Sequence, residues 1–385
     1  MTLGYKLITL CQLWLHYLKF LQPMLQNMLT MLQISTNVWE PNELQDAEEG
    51  LVLQPTTGSG PPGTNLITSK MNSESIAACL AQYGCNDITV SLKLQCCQAL
   101  PFARGGLGAV YLGALKDGQP VAIKCVESFS GHEVNVSEHG KCLKRAAREI
   151  YTWSHCSHRG VLPMLGFARF RGQIALVTPW MKAGSLNQRI LRGLLFSPLQ
   201  TCIQLTTAVE HLHTNGIVHG DIKPDNVLVT DQGQVQLADF GSAISTLATA
   251  LNFTQTNSFN FTTRFAAPEV LKEDTRTFTK EGDVYALGMT MLNVMTGQPP
   301  FADKWEASVI IEVVYKKGQP SQPDFGQNLQ GDAAKVKMWD LLKWCFAYEP
   351  GDRPKASQVK AALAEVERLG ELLGAEVGVQ PERVQ

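Results

Sequence analysis

ARGGLGAVYLGALKDGQPVAIKCV, residues 103–126, decides how the rest of the chain is read. AVYLGAL and QPVAIKCV are short β-rich runs, and KDG between them is a hairpin turn signal. Gly105, Gly106 and Gly108 open the first run, so a glycine hairpin here can lie close over phosphates and offer them its N–H groups. A glycine cluster alone is more often just a turn. VAIK places Lys124 on the following strand, and cluster and lysine at this spacing are much more specific together than either is alone.

Working outward, KRAAREIYTW has helical spacing and GQIALVTPW reads as a buried strand. Beyond residue 185 the pattern is mostly helical, in SPLQTCIQLTTAVEHLHTNG, DVYALGMTMLNVMTG and AKVKMWDLLKWCFAYEP. Strands first and helices after give an α+β arrangement in two parts. Near the C-terminus, KASQVKAALAEVERLGELLG puts Val359, Leu363, Val366 and Leu369 on one helical face. Upstream, NSESIAACLAQYG predicts a short helix with Ser73 as N-cap, an apolar stripe of Ile76, Cys79, Leu80 and Tyr83, and Gly84 as its stop. QPTTGSGPPGTN, residues 54–65, has linker composition.

Bulk properties narrow the class. The 385 residues are 44% hydrophobic and 18% charged, with ample material for a core. A formal charge of −2 gives no reason to expect binding to nucleic acid or anionic membranes driven by overall charge. Ten cysteines without a C-x-x-C pair read as reduced thiols rather than a disulfide framework or a zinc site. Residues 1–35 are rich in Leu, Met and aromatics, but Gln12, His16, Lys19, Gln22 and Pro23 interrupt the run of about 20 apolar residues that a membrane span needs. Three alternatives stay open for them: a membrane-surface helix, a partner-binding segment, or a stretch without independent structure.

The ordered series ARGGLGAV, VAIK, HGDIKPDN, DFG, APE and DVYALG resembles the eukaryotic protein kinase catalytic domain over residues 99–370. DIKPDN, with Lys223 two residues after Asp221, is similar to the serine/threonine class. The wording around the motifs resembles the tyrosine-kinase-like group, in particular the large kinase families of mushroom-forming fungi. The resemblance implies a bilobal fold: a small β-rich N-lobe with one helix (99–178), a hinge (179–184) and a large, mainly helical C-lobe (185–370). Outside it fall residues 1–35, a linker (36–72), a short helical extension (73–98) and a tail (371–385). It implies ATP and Mg²⁺ as cofactors, a protein serine or threonine as acceptor, and a cytoplasmic location.

The implied roles transfer position by position. Lys124 contacts the α- and β-phosphates and Glu149 pairs with it. Asp221 orients the acceptor hydroxyl, Lys223 stabilises the transferring phosphoryl group, and Asn226 and Asp239 ligate Mg²⁺. Ala103, Gly105, Gly106, Gly108 and Val110 form the nucleotide loop, with Ala122 and Leu228 as apolar ceiling and floor. Thr178 is the gatekeeper, followed by Pro179, Trp180 and Met181 of the hinge. Pro179 lacks an N–H but keeps its C=O, and Met181 keeps its N–H, so both polar edges that adenine needs are retained. Glu269 and Arg353 match a buried ion pair, Asp283 an aspartate that holds the loop of Asp221, and Thr262 a threonine contacting Lys223 and Asp221.

Three departures stand out. Ala103 replaces the first glycine of the nucleotide loop, which one extra methyl should tolerate. The segment from Asp239 to Glu269 is rich in Ser and Thr and offers candidate phosphorylation sites. Gly220 stands where the family's arginine clamps an activation-segment phosphate, which removes a regulatory contact and is expected to loosen the backbone beside Asp221. The competing readings are a catalytically weak, scaffold-like kinase fold and a kinase fold acting on small molecules. The sequons at Asn135, Asn252 and Asn260 are read as chance matches.

Overall fold

Three strands follow directly from the opening stretch: β1 (Ala103–Gly105), β2 (Gly108–Ala114) and β3 (Pro120–Cys125). The KDG turn closes the second hairpin, with Leu115 N–H donating to Gln119 O at 2.9 Å and Gly118 at φ +92°. With β4 (Gly166–Phe170) and β5 (Gln173–Pro179) they form one antiparallel sheet in the order β1-β2-β3-β5-β4. This computed structural model describes residues 67–68, 71–105, 108–125, 136–195, 197–245, 262–272 and 277–377. Residues 1–35, most of the expected linker, the asparagines of the three sequons and the last eight residues lie outside them.

Strand alternation divides the sheet. Val121, Ile123 and Cys125 of β3 are buried on one face with Ala109, Tyr111, Phe170 and Val177. Ala122 and Lys124, between them, are half-buried on the other. Helix α1 (Ser73–Gln82) and helix α2 (Val136–Ser154) complete this lobe. The N-cap of α1 is Asn72, not Ser73: its side chain accepts Ser75 N–H at 2.8 Å, because Asn at this position reaches the open first turn. Ile67, in the stretch expected as linker, is fully buried.

The large lobe contains α3 (Leu186–Leu191), α4 (Pro198–Thr214), β6 (Ile217–Val218), β7 (Val227–Val229), β8 (Val235–Leu237), β9 (Ile244–Ser245), α5 (Pro268–Leu271), α6 (Lys280–Thr296), α7 (Glu306–Ile310), α8 (Asp332–Cys345) and α9 (Ala356–Val377). Ser185 and Gln188 close a capping box on α3. Helix α6 is buried continuously from Asp283 to Met295, as a helix apolar on all sides must be, with α4 and α8 packed against it. Helix α9 lies on α4 and α8, and Val359, Leu363 and Val366 are fully buried, each contributing about 1.5–3 kcal/mol of apolar burial. The expected small strand-rich lobe and large helical lobe are both present.

Candidate active site

The first hairpin sets Gly105 opposite Gly108, so its tip is Gly106 and Leu107, which lie outside the described residues. Ala103 pairs with Val110 and is exposed, so its methyl meets solvent. The register then places Val110 opposite Lys124 and Ala122 opposite Thr178. Val110, Ala122, Met181 and Leu228 are all half-buried, with Met181 and Leu228 packed against the edge of the main core. Thr178 is buried. In the hinge, Trp180 N–H donates to Pro120 O at 3.1 Å and its ring meets Phe102 edge-on with centroids 4.8 Å apart. Met181 O accepts Gly184 N–H at 3.1 Å.

Lys124 Nζ sits between two carboxylates, 2.9 Å from Glu149 Oε1 and 2.7 Å from Asp239 Oδ1. Burial alone would lower the lysine's pKa, but Asp239 and Glu149 outweigh it and hold the ammonium well above its ordinary value. Glu149, with a single ammonium shared between two acids, is pushed up by burial despite Lys124. Burial also opposes the charge on Asp239, yet Lys124 and the Gly241 N–H keep its carboxyl below the usual range. Asp239 has a left-handed backbone, φ +65°. The next residue, Phe240, is buried between Trp153 of α2 and His219, with ring centroids 5.1 Å from each.

In the loop after β6, Lys223 Nζ donates to Asp221 Oδ2 at 2.7 Å and to Thr262 Oγ1 at 2.9 Å. Asn226 Nδ2 donates to both Asp221 O and Asp221 Oδ2 at 2.8 Å. Thr262 thus reaches Asp221 through Lys223. With Nδ2 committed, Asn226 Oδ1 is the atom that can ligand a hard cation. Asp239 could supply a second oxygen, and both are hard donors of the kind a divalent cation takes.

Asp283 of α6 fixes this loop from beneath. Its Oδ2 accepts His219 N–H at 2.8 Å, its Oδ1 accepts Gly220 N–H at 2.8 Å, and His213 Nε2 lies 2.9 Å from Oδ2. The backbone beside Asp221 is therefore pinned, contrary to the loosening expected from a glycine there.

A model of the protein kinase domain matches residues 102–363. The chain belongs to the protein kinase family. It is 28% identical to mitogen-activated protein kinase kinase kinase 2 of Arabidopsis thaliana over 78% of its own length and 46% of the relative's. To mitogen-activated protein kinase kinase kinase 19 of Homo sapiens it is 26% identical over 66% of its length and 19% of the relative's. To mitogen-activated protein kinase kinase kinase A of Dictyostelium discoideum the figures are 27%, 66% and 26%. The chain spans less than half the length of these curated relatives.

Gly220 has a neighbour that the sequence does not reveal. Its φ is +77°, and a Cβ built on it would stand 2.7 Å from Phe278 Cδ2 and 2.9 Å from Ser242 O. Phe278 occupies the space a side chain at 220 would need.

The remaining anchors are saturated. Arg353 meets Glu269 through two parallel bonds, Nη1 to Oε1 at 2.7 Å and Nη2 to Oε2 at 2.8 Å. Its other N–H groups go to Glu281 O, Tyr348 O and Ala347 O, so all five donors are used. Arg264, two residues beyond Thr262, was missed: it donates to the carbonyls of Pro300, Phe301 and Lys304 at 2.7–2.8 Å. Only its closeness to the APE motif could have marked it.

Proposed function

We propose that the kinase transfers the γ-phosphate of ATP to serine or threonine hydroxyls of a protein substrate. The observation that carries this reading is the hydrogen-bonded cluster of Asp221, Lys223, Asn226 and Thr262, joined through the Ala238 N–H to Asn226 O bond to the strand end beside Asp239, which pairs with Lys124. Asp221 accepts the hydrogen bond of the incoming hydroxyl and aims its lone pair at phosphorus, while Lys223 neutralises charge on the transferring group. Lys124, held out by Glu149, grips the α- and β-phosphates. Pro179 C=O and Met181 N–H bind the adenine edge, between Ala122 and Leu228 and beside Thr178. Asn226 and Asp239 would hold Mg²⁺, which when bound neutralises the phosphates. Matches to mitogen-activated protein kinase kinase kinases, and the bond from Lys223 to Thr262, support the serine/threonine class and a polypeptide acceptor.

The filled position at Gly220 supports activation without a phosphate clamp there, since Phe278 and Asp283 already hold that part of the loop. The test is γ-phosphate transfer from Mg-ATP, to the kinase itself and to a generic basic protein, by the full chain and by Asp221→Asn. Loss of the positioned base should lower kcat by about 10²–10⁴-fold. Equal transfer by both proteins would remove Asp221 from the mechanism.

A further inference from the structure

Residues 67–98 precede the matched kinase domain, yet they are fastened to three of its parts. The first is α2. Ile67, Ile76 and Leu80 are fully buried in the core cluster that contains Leu143, Ala147, Ile150 and Tyr151 of α2. Tyr83 meets Tyr151 edge-on, centroids 6.3 Å apart, and Cys85 Sγ lies 3.3 Å from Ser154 Oγ at the end of that helix. Ile150 and Tyr151 directly follow Glu149, so the helix is gripped one residue beyond the carboxylate that holds Lys124.

The second fastening is the edge of the sheet. Phe167 N–H donates to Asn86 O at 2.8 Å and Ile88 N–H to Phe167 O at 2.9 Å, adding a parallel bridge alongside β4. Arg169 N–H is taken by Thr89 Oγ1 at 2.9 Å. A Cβ at Gly166 would collide with the Asn86 carbonyl, so β4 carries a glycine where the extension passes. The third lies over β2. Lys93 N–H bonds Ala114 O and Gln98 N–H bonds Leu112 O, both at 2.9 Å, and Ile88 and Leu92 are buried on the sheet's outer face. Arg171 closes the path, donating to Gln98 O and Ala99 O at 2.8 Å while its guanidinium lies 4.6 Å from the Tyr111 ring centre.

We infer that residues 71–98, together with Ile67, are a built-in brace that holds α2 in its catalytic position, with Leu80 and Tyr83 as positioning residues for the Lys124–Glu149 pair. A free helix end would let Glu149 withdraw and Lys124 follow Asp239 alone. Tied to both α2 and the rigid sheet, the brace removes that freedom without any phosphate. The inference rests on the proposed phosphoryl transfer, which needs Lys124 held by Glu149.

The test compares the full chain with Leu80→Ala/Tyr83→Ala and with the conservative Leu80→Met/Tyr83→Phe. Each is assayed for kcat, for KM for ATP and for amide hydrogen exchange. Freeing α2 should lower kcat by roughly tenfold to a hundredfold in the alanine pair, and the conservative pair should restore it. Exchange should quicken over residues 140–154 while α6 keeps its protection. Faster α2 exchange with kcat within about twofold of the parent would overturn the brace. Equal loss of protection in α2 and α6 would also overturn it, as the extension would then be an ordinary part of one folding unit. If the parent transfers no phosphate, the proposed activity falls and the α2 exchange alone decides the brace: faster exchange confined to α2 supports it, and unchanged exchange refutes it.

Discussion

Restoring a side chain at Gly220 is the obvious experiment for a kinase whose loop reads HGD, and the structure argues that it damages the loop instead. Two terms set the size of the effect. The backbone at 220 is left-handed, φ +77°, which costs a residue with a Cβ about 1–2 kcal/mol. That Cβ would also lie 2.7 Å from Phe278 Cδ2, 2.9 Å from Phe278 Cγ and 2.9 Å from Ser242 O. Overpacking of this kind typically costs about 1–3 kcal/mol. Gly220→Ala should therefore destabilise by about 2–5 kcal/mol, a large share of the ~5–15 kcal/mol available to a typical domain. Gly220→Arg should be at least as harmful. Adding Phe278→Ala to Gly220→Ala removes the ring but not the backbone strain, so the two changes should couple favourably by about 1–2 kcal/mol. Urea unfolding followed by tryptophan fluorescence measures the four corners of this cycle, with ATP turnover alongside. Gly220→Ala as stable as the parent, or a loss that Phe278→Ala leaves untouched, would refute the steric argument.

Removing Arg353 strands Glu269, so Arg353→Ala should cost about 3–5 kcal/mol in urea unfolding, and Arg353→Lys should recover only part because one ammonium cannot serve five acceptors. Arg264→Ala frees three carbonyls beside the Thr262 segment and should raise KM for a protein substrate roughly tenfold while leaving KM for ATP unchanged, which steady-state kinetics separates. His158 stacks on His211 with centroids 4.5 Å apart, and burial, then His211, Arg159 and Lys360, depress its pKa from 6.5. The unfolded chain then binds that proton first, so the stability His158 contributes is present above pH 6.5 and is lost as pH falls toward the folded pKa. Melting temperature should drop on acidification through this window, and His158→Gln should flatten that part of the curve.

Much of the site was legible because kinase chemistry is carried by short contiguous motifs. VAIK, HGDIKPDN and DFG fix their own local geometry, and Glu149 could be reached by counting along a helix. What stayed hidden was contact between distant residues. Nothing in the sequence says that Phe278 fills the space over Gly220, or that Gly166 is a glycine because the Asn86 carbonyl passes beside it. Residues 85–98 show neither period 2 nor period 3.6, since their backbone bonds go to a strand edge and to short turns rather than to a regular partner. Ile67 reads as part of a linker because one buried side chain leaves no pattern. Asn72 and Ser73 are both good caps by residue type, so only geometry chooses between them.

Asp283 carries a consequence for how the molecule is assembled. It is 2% exposed, and its carboxylate gathers His213, His219 and Gly220 from two other elements. The loop that bears Asp221 is knitted by its own bonds, from Asn226 and Lys223 to Asp221, but its start at His219 and Gly220 is tied to α6, a helix with no face turned to water between Asp283 and Met295. Such a helix has no stable existence until its neighbours have closed around it. The position of the HGD backbone is thus expected to report on the centre of the large lobe: a change that opens the packing around α6 should disturb the Asp221 loop even where it lies far from it.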